Sequence, residues 1–204
     1  MPPSEEKIVF PVNPMLKKQA DSSEGGKTVF LDRDGVINRR LMNDYVTRWE
    51  EFEPLPGALA AIEKLNRAGF RVVVVTNQRG IALGRMSRED VDAIHARLNE
   101  VLKESGHGID GFFVCPHDRD QACGCRKPAP GLLLQADRRK AVAWHTSFLV
   151  GDSDSDILAG LEMGVTTIKL AGPSRVGAHL EMADLAAAAA YIAEGFTVDK
   201  KGST

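Results

Sequence analysis

At 204 residues, 43% hydrophobic and 26% charged, the chain has the size and composition of a globular protein with one full core, and a second sizeable domain does not fit. A formal net charge of -2 argues against a nucleic-acid binder held by backbone electrostatics, while a local cluster of Arg and Lys could still take a small anionic substrate. No apolar stretch approaches a bilayer span, and the N-terminus lacks the basic start and apolar core of a secretory signal, so a cytoplasmic location with no membrane partner is expected.

Residues 1–26 mix Pro2, Pro3, Pro11 and Pro14 with Ser22, Ser23, Gly25 and Gly26. They read as an N-terminal extension ending in a flexible joint, with Ile8 to Val12 able to lie against the domain. From Lys27 short apolar runs alternate with amphipathic segments, and the domain is expected over 27–195 with a tail at 196–204. Val29 to Leu31 is the first strand. Pro56 and Gly57 open a helix with Leu59, Ile62 and Leu65 at helical spacing, closed by Gly69. The β-branched run in Arg71 to Val75 reads as a central strand covered on both faces. Ser87 caps a helix whose inward stripe is Val91, Ile94, Leu98 and Val101. Phe112 to Val114 is a strand, Leu132 to Arg139 a helix, Phe148 to Val150 a strand, Ile157 to Met163 a helix, Val165 to Leu170 a strand and Asp184 to Glu194 a terminal helix. This alternation predicts an α/β, Rossmann-like three-layer sandwich with a mostly parallel central sheet.

Each chemically suggestive polar cluster follows a predicted strand, where ligands of open α/β sheets bind. Asp32 stands where the first strand stops, and Asp34, two residues on, returns to the same side of an extended chain. One carboxylate can attack phosphorus while the other handles a proton, and a divalent cation would relieve their repulsion. Thr76, Asn77 and Gln78 end the next strand, with a hydroxyl and amides able to donate to phosphate oxygens. Arg126 and Lys127 supply a planar fork and a compact charge. Asp152 closes the Phe148 to Val150 strand, where a carboxylate can ligate Mg²⁺, and Asp156, one turn on, can support the ion or anchor Lys127. Taken alone, the first two clusters also read as turn chemistry, Arg126 and Lys127 as a solvated loop, and the aspartates after Val150 as an acidic helix N-terminus.

All three cysteines fall within Cys115 to Cys125. Cys115, His117, Cys123 and Cys125 are the ligand types of a closed tetrahedral zinc site, so a structural Zn²⁺ stapling the loop just before Arg126 is expected. His95, His107, His145 and His179 stand at unremarkable places and are read as structural or solvated.

Together Asp32-Arg33-Asp34-Gly35-Val36-Ile37-Asn38, Val75-Thr76-Asn77-Gln78-Arg79-Gly80-Ile81, Cys125-Arg126-Lys127-Pro128 and Val150-Gly151-Asp152 resemble the haloacid dehalogenase superfamily, and within it the small phosphatases for heptose bisphosphate and histidinol phosphate. The resemblance runs from about Lys27 to Gly172. It implies Asp32 as the nucleophile forming an aspartyl-phosphate and Asp34 as the acid that protonates the leaving oxygen, then the base that activates water. It also implies Thr76 and Lys127 as holders of the phosphoryl group, and Asp32, the Asp34 main-chain carbonyl and Asp152 as Mg²⁺ ligands. Arg33, Asn77, Gln78 and Arg126 are assigned to the substrate. Members of this subgroup lack a large cap domain, and no domain-sized insertion separates the motifs here. The substrate implied first is D-glycero-D-manno-heptose 1,7-bisphosphate, cut at its C7 phosphate, because the segment from Thr76 to Gly84 is similar to the heptose group. The short His117 to Cys123 spacing resembles the histidinol-phosphate enzymes, the second reading. A catalytically idle, zinc-stabilised binding module is the third, opposed by the intact set Asp32, Asp34, Lys127 and Asp152. A monomer acting on a small phosphorylated substrate is the working expectation for partners.

Overall fold

The computed structural model describes residues 25–195. The expected division at residue 26 and the tail at 196–204 therefore lie almost wholly outside the described residues. The exception is the Gly25–Gly26 joint, which is docked: Gly26 N donates to Ala141 O and Gly26 O accepts from Ala143 N.

Six strands form one sheet in the order β3-β2-β1-β4-β5-β6, every neighbouring pair parallel. They are β1 (Thr28–Leu31), β2 (Arg71–Asn77), β3 (Gly111–Cys115), β4 (Phe148–Gly151), β5 (Thr166–Leu170) and β6 (Leu180–Met182). Helices α1 (Ala58–Arg67), α2 (Arg88–Lys103), α3 (Gly131–Arg139), α4 (Asp154–Met163) and α5 (Leu185–Gly195) cover both faces. Alternation along the strands sorts the core. Val29, Leu31, Val72, Val74 and Val150 join α1, α2 and α5, whereas Phe30, Val73, Val75 and Leu149 join α3 and α4. That explains why β1 and β2 read as unbroken apolar runs: a strand covered on both faces has no solvent side.

Helix boundaries shift where side chains reach the backbone. Ser87 and Asp90 exchange hydrogen bonds in a capping box that starts α2. Ser153 and Asp156 do the same for α4, which begins at Asp154, three residues before the predicted Ile157. In α2 the inward stripe is Val91, Ile94, His95, Leu98 and Leu102, and Val101, predicted inward, is only half-buried. Leu59 of α1 is likewise half-buried, with Ala58 and Ala61 beside Ile62 and Leu65 facing the core. Strand β6 was not predicted. Its three residues are only partly buried or exposed and carry no apolar run.

The sheet order reverses between β1 and β4, which opens a crevice at their carboxyl ends. Asp32 follows β1 and Asp152 follows β4, so the fold itself brings these two carboxylates together.

Candidate active site

Asp32 N donates to Val150 O at 3.1 Å, extending the β1–β4 ladder by one step and fixing the carboxylate at the crevice floor. Lys127 Nζ, 3% exposed, sits 2.8 Å from Asp32 Oδ1, 2.5 Å from Asp156 Oδ1 and 2.7 Å from Val75 O. Burial opposes the ammonium's charge, but Asp156 and Asp32 outweigh it and raise the Lys127 pKa to about 12. The cation is permanent at neutral pH.

Oxygens of Asp32, Asp152 and Asp156 all lie within 4.8 Å of one another. Burial, opposed by Lys127 and reinforced by Asp156 and Asp152, pushes Asp32 up to about 7, and burial also raises Asp152 against the pull of Arg40. Burial thus disfavours the ionised carboxylates, and an all-oxygen donor set of this kind suits a hard dication that would favour them. Arg40, which no motif marked, reaches Nη2 to 2.9 Å from Asp152 Oδ1 and 3.7 Å from Asp32 Oδ2. Its only trace in the sequence is a second arginine directly after Asn38-Arg39.

Asp34 is not part of that carboxylate group. Its Oδ1 accepts from Asn38 Nδ2 at 2.9 Å, its Oδ2 from Gln78 Nε2 at 2.9 Å, and Arg33 Nη2 spans both oxygens at 2.9 Å. Burial alone would lift its pKa, yet Arg33 and these hydrogen bonds hold it below the usual carboxylate value. Only its main-chain carbonyl remains as the ligand the resemblance implies. Arg33 and Gln78, assigned to substrate from the sequence, are respectively 0% and 1% exposed and both are turned onto Asp34. Gln78 also donates to Thr76 Oγ1 at 2.8 Å. Residue type alone gave no direction for these side chains, and burial redirects them. Asn77, also assigned to substrate, donates to Lys127 O and accepts from Lys127 N, both at 3.1 Å, so its amide continues β2 as a mimic of backbone and holds Lys127 in place.

Gly35 makes the turn after Asp34 with φ at +93°, and a Cβ at that position would overlap the Asp152 carboxylate.

The cysteine loop closes on itself. Cys115 Sγ lies 3.8 Å from Cys123 Sγ and 3.6 Å from His117 Nδ1, which is 3.2 Å from Cys125 Sγ. Sulfurs on a tetrahedral ion with bonds of about 2.3 Å stand about 3.8 Å apart, so the donor set and its spacing suit zinc. Burial, then the neighbouring thiols, pushes Cys125 up to about 12. Arg126 Nη1 donates to His117 O at 3.1 Å, which ties the loop to the crevice.

Above the crevice floor is a cavity of about 600 Å³. Asp32, Asp34, Thr76 and Lys127 line it, together with five arginines: Arg40, Arg79, Arg85, Arg119 and Arg126. Arg79 is partly spent on Asp118 at 2.5 Å. Among the described residues no helix is long and apolar enough to cross a membrane.

Residues 18–164 match the family model of the haloacid dehalogenase-like hydrolases. D-glycero-alpha-D-manno-heptose-1,7-bisphosphate 7-phosphatase of Mycobacterium bovis is 53% identical over 130 residues, 63% of this chain and 68% of that protein. D-glycero-beta-D-manno-heptose-1,7-bisphosphate 7-phosphatase of Helicobacter pylori is 39% identical over 140 residues, 68% of this chain and 79% of the other. Among solved structures, D,D-heptose 1,7-bisphosphate phosphatase from B. bronchiseptica complexed with magnesium and phosphate superposes with a TM-score of 0.75 at 33% identity, over 83% of this chain and 99% of that one.

Proposed function

The chain belongs to the haloacid dehalogenase-like hydrolases and is a phosphatase, and on that footing we propose that it removes the C7 phosphate of D-glycero-D-manno-heptose 1,7-bisphosphate through an aspartyl-phosphate. The observation that carries the substrate assignment is that arginines beyond those paired with Asp152 and Asp118, namely Arg85, Arg119 and Arg126, line the cavity over a floor suited to one phosphoryl group. A second phosphate would find its partners there, whereas histidinol phosphate would leave them unused. The relative named for the α anomer is the more similar of the two described, and the α anomer is the proposed substrate.

In this reading Asp32 attacks phosphorus with the oxygen not held by Lys127. Lys127 and the Thr76 hydroxyl hold the phosphoryl oxygens as charge redistributes. Asp34, kept ionised by its clamp, takes a proton carried in by the phosphate ester and passes it to the departing O7. It then accepts a proton from the water that cleaves the aspartyl-phosphate. A magnesium ion held by Asp32, Asp152 and the Asp34 main-chain carbonyl would supply the positive charge that keeps Asp32 ionised and offsets the phosphoryl group. A zinc ion held by Cys115, His117, Cys123 and Cys125, with every position filled, would fix the loop that carries Arg119 and Arg126.

The test is initial rates on both heptose 1,7-bisphosphate anomers and on histidinol phosphate, with Asp32→Asn alongside. The α bisphosphate should be hydrolysed fastest, and the variant should lose at least about 10³-fold in kcat. Preference for histidinol phosphate would overturn the substrate, and near wild-type turnover by Asp32→Asn would overturn the mechanism.

A further inference from the structure

Behind Asp34 the protein buries a set of polar atoms that the reaction above does not use. Arg33 is 0% exposed, and while its Nη2 spans the Asp34 carboxylate, its Nη1 has no hydrogen-bond partner. Asn38 is also 0% exposed. It donates to Asp34 Oδ1, and its own Oδ1 accepts nothing. His95 of α2 is 2% exposed, stacks flat on Phe112 with centroids 4.3 Å apart, and has no partner at either ring nitrogen. A buried polar group left unpaired costs on the order of 1–3 kcal/mol, so each of these calls for a partner.

The orphans are chemically complementary. Burial, then the Arg33 charge, pulls His95 down to about 3, so its ring is neutral and offers one donor and one acceptor. Arg33 Nη1 can only donate and Asn38 Oδ1 can only accept. A water has two protons and two lone pairs, and buried waters make about three hydrogen bonds to groups of this kind. Arg33 is the charge that weighs most on His95, with Asp34 next, so the buried ring lies within the electrostatic reach of the Arg33–Asp34 pair.

We propose that His95 is a positioning residue for Asp34: a buried water shared by the His95 ring and Arg33 Nη1 locks the guanidinium that aims the Asp34 carboxylate. The proposal rests on the reading of Asp34 as proton donor to the leaving oxygen. The imidazole never touches substrate. Its effect is to fix the plane of the guanidinium and through it the direction from which the proton arrives. Loss of that fixation should slow steps that need the proton and spare those that do not.

The test compares His95→Leu, His95→Gln and Asp34→Asn on heptose 1,7-bisphosphate, whose alkoxide must be protonated, and on p-nitrophenyl phosphate, whose leaving group need not be. His95→Leu should lose about tenfold in kcat/KM on the bisphosphate and less than about threefold on the aryl ester, with His95→Gln restoring most of the loss. Equal losses on both esters, or none on the bisphosphate while Asp34→Asn is inactive, would overturn the positioning role. Retained bisphosphate activity in Asp34→Asn would instead overturn the reading of Asp34. A crystal structure of the wild-type protein gives a readout independent of variant folding. An ordered water about 3 Å from both Arg33 Nη1 and a His95 nitrogen is expected, and direct apolar packing there would sink the idea.

Discussion

The two side-chain groups suited to a cation are assembled in opposite ways. Cys115 ends β3 and Cys123 stands eight positions on in the loop that follows, so the sulfur group is a local structure. Lys127 and Asp32 are 95 positions apart, and their pairing exists only once β1, β2 and β4 are in register. The acidic group is also nearly closed to water, with Lys127 at 3% and Asp156 at 0% exposure, whereas Cys123 and Cys125 are half-exposed. A local group can be lost without disturbing the sheet. A group spread over strand ends shares its fate with the sheet.

Lys127→Met should therefore have the larger effect and strike rate and stability together. It leaves Asp32 and Asp156 buried without their cation, and kcat should fall by at least about 10³-fold. Stability should drop by roughly 3–5 kcal/mol, read from denaturant unfolding. A stable, active Lys127→Met protein would break the contrast at its stronger end.

Cys123→Ser should be milder and more selective. Metal content should fall from one zinc per chain toward none. KM should rise about tenfold as Arg126 loses its anchor on His117, while kcat stays within a few-fold. A kcat loss as deep as that of Lys127→Met would show that the loop also holds the floor of the crevice.

The smallest effect lies at the border of the acidic group. His95 has an ordinary value of 6.5 in the unfolded chain and about 3 in the fold. Between those values the unfolded state binds more protons at this residue, so the His95 contribution is fully present above pH 6.5 and is lost as the pH falls toward 3, with a steepest slope of about 1.4 kcal/mol per pH unit. Asp32, raised from 3.8 to about 7, contributes with the opposite sign. Asp34, its pKa lowered, adds loss of the same sign as His95 below its ordinary value of 3.8. His95→Leu should shift the slope between pH 6.5 and 4 by up to about 1.4 kcal/mol per pH unit, toward stability that rises as the pH falls, in urea melts taken across pH. An unchanged slope would mean that some other group titrates there.

What the sequence made legible follows the same division. The zinc-type loop was readable whole, because its four donors and their spacing are contiguous. The strand ends bearing Asp32, Thr76 and Asp152 were readable because each closes an apolar run, and Lys127 because it directly follows the cysteine segment. Direction was not readable. Only the packed structure shows that Arg33 is buried on Asp34, and that Asn77 and Gln78, which line the cavity, also hydrogen-bond to Lys127 and Asp34. His95 looked unremarkable because a lone histidine in a helical stripe carries no pattern, and Arg40 because one cation outside a motif carries none either. Strand β6 escaped for want of an apolar run.

Gly35 has one more consequence. The turn after Asp34 closes only because the neighbour at position 35 offers no bulk to a carboxylate contributed by β4, far along the chain. Grafting Asp32 to Asn38 into a foreign scaffold would thus transfer a shape without the wall it was moulded against. A library randomised at 35 should return glycine alone even when position 152 is randomised with it, because the positive φ of the turn excludes a side chain independently of that wall.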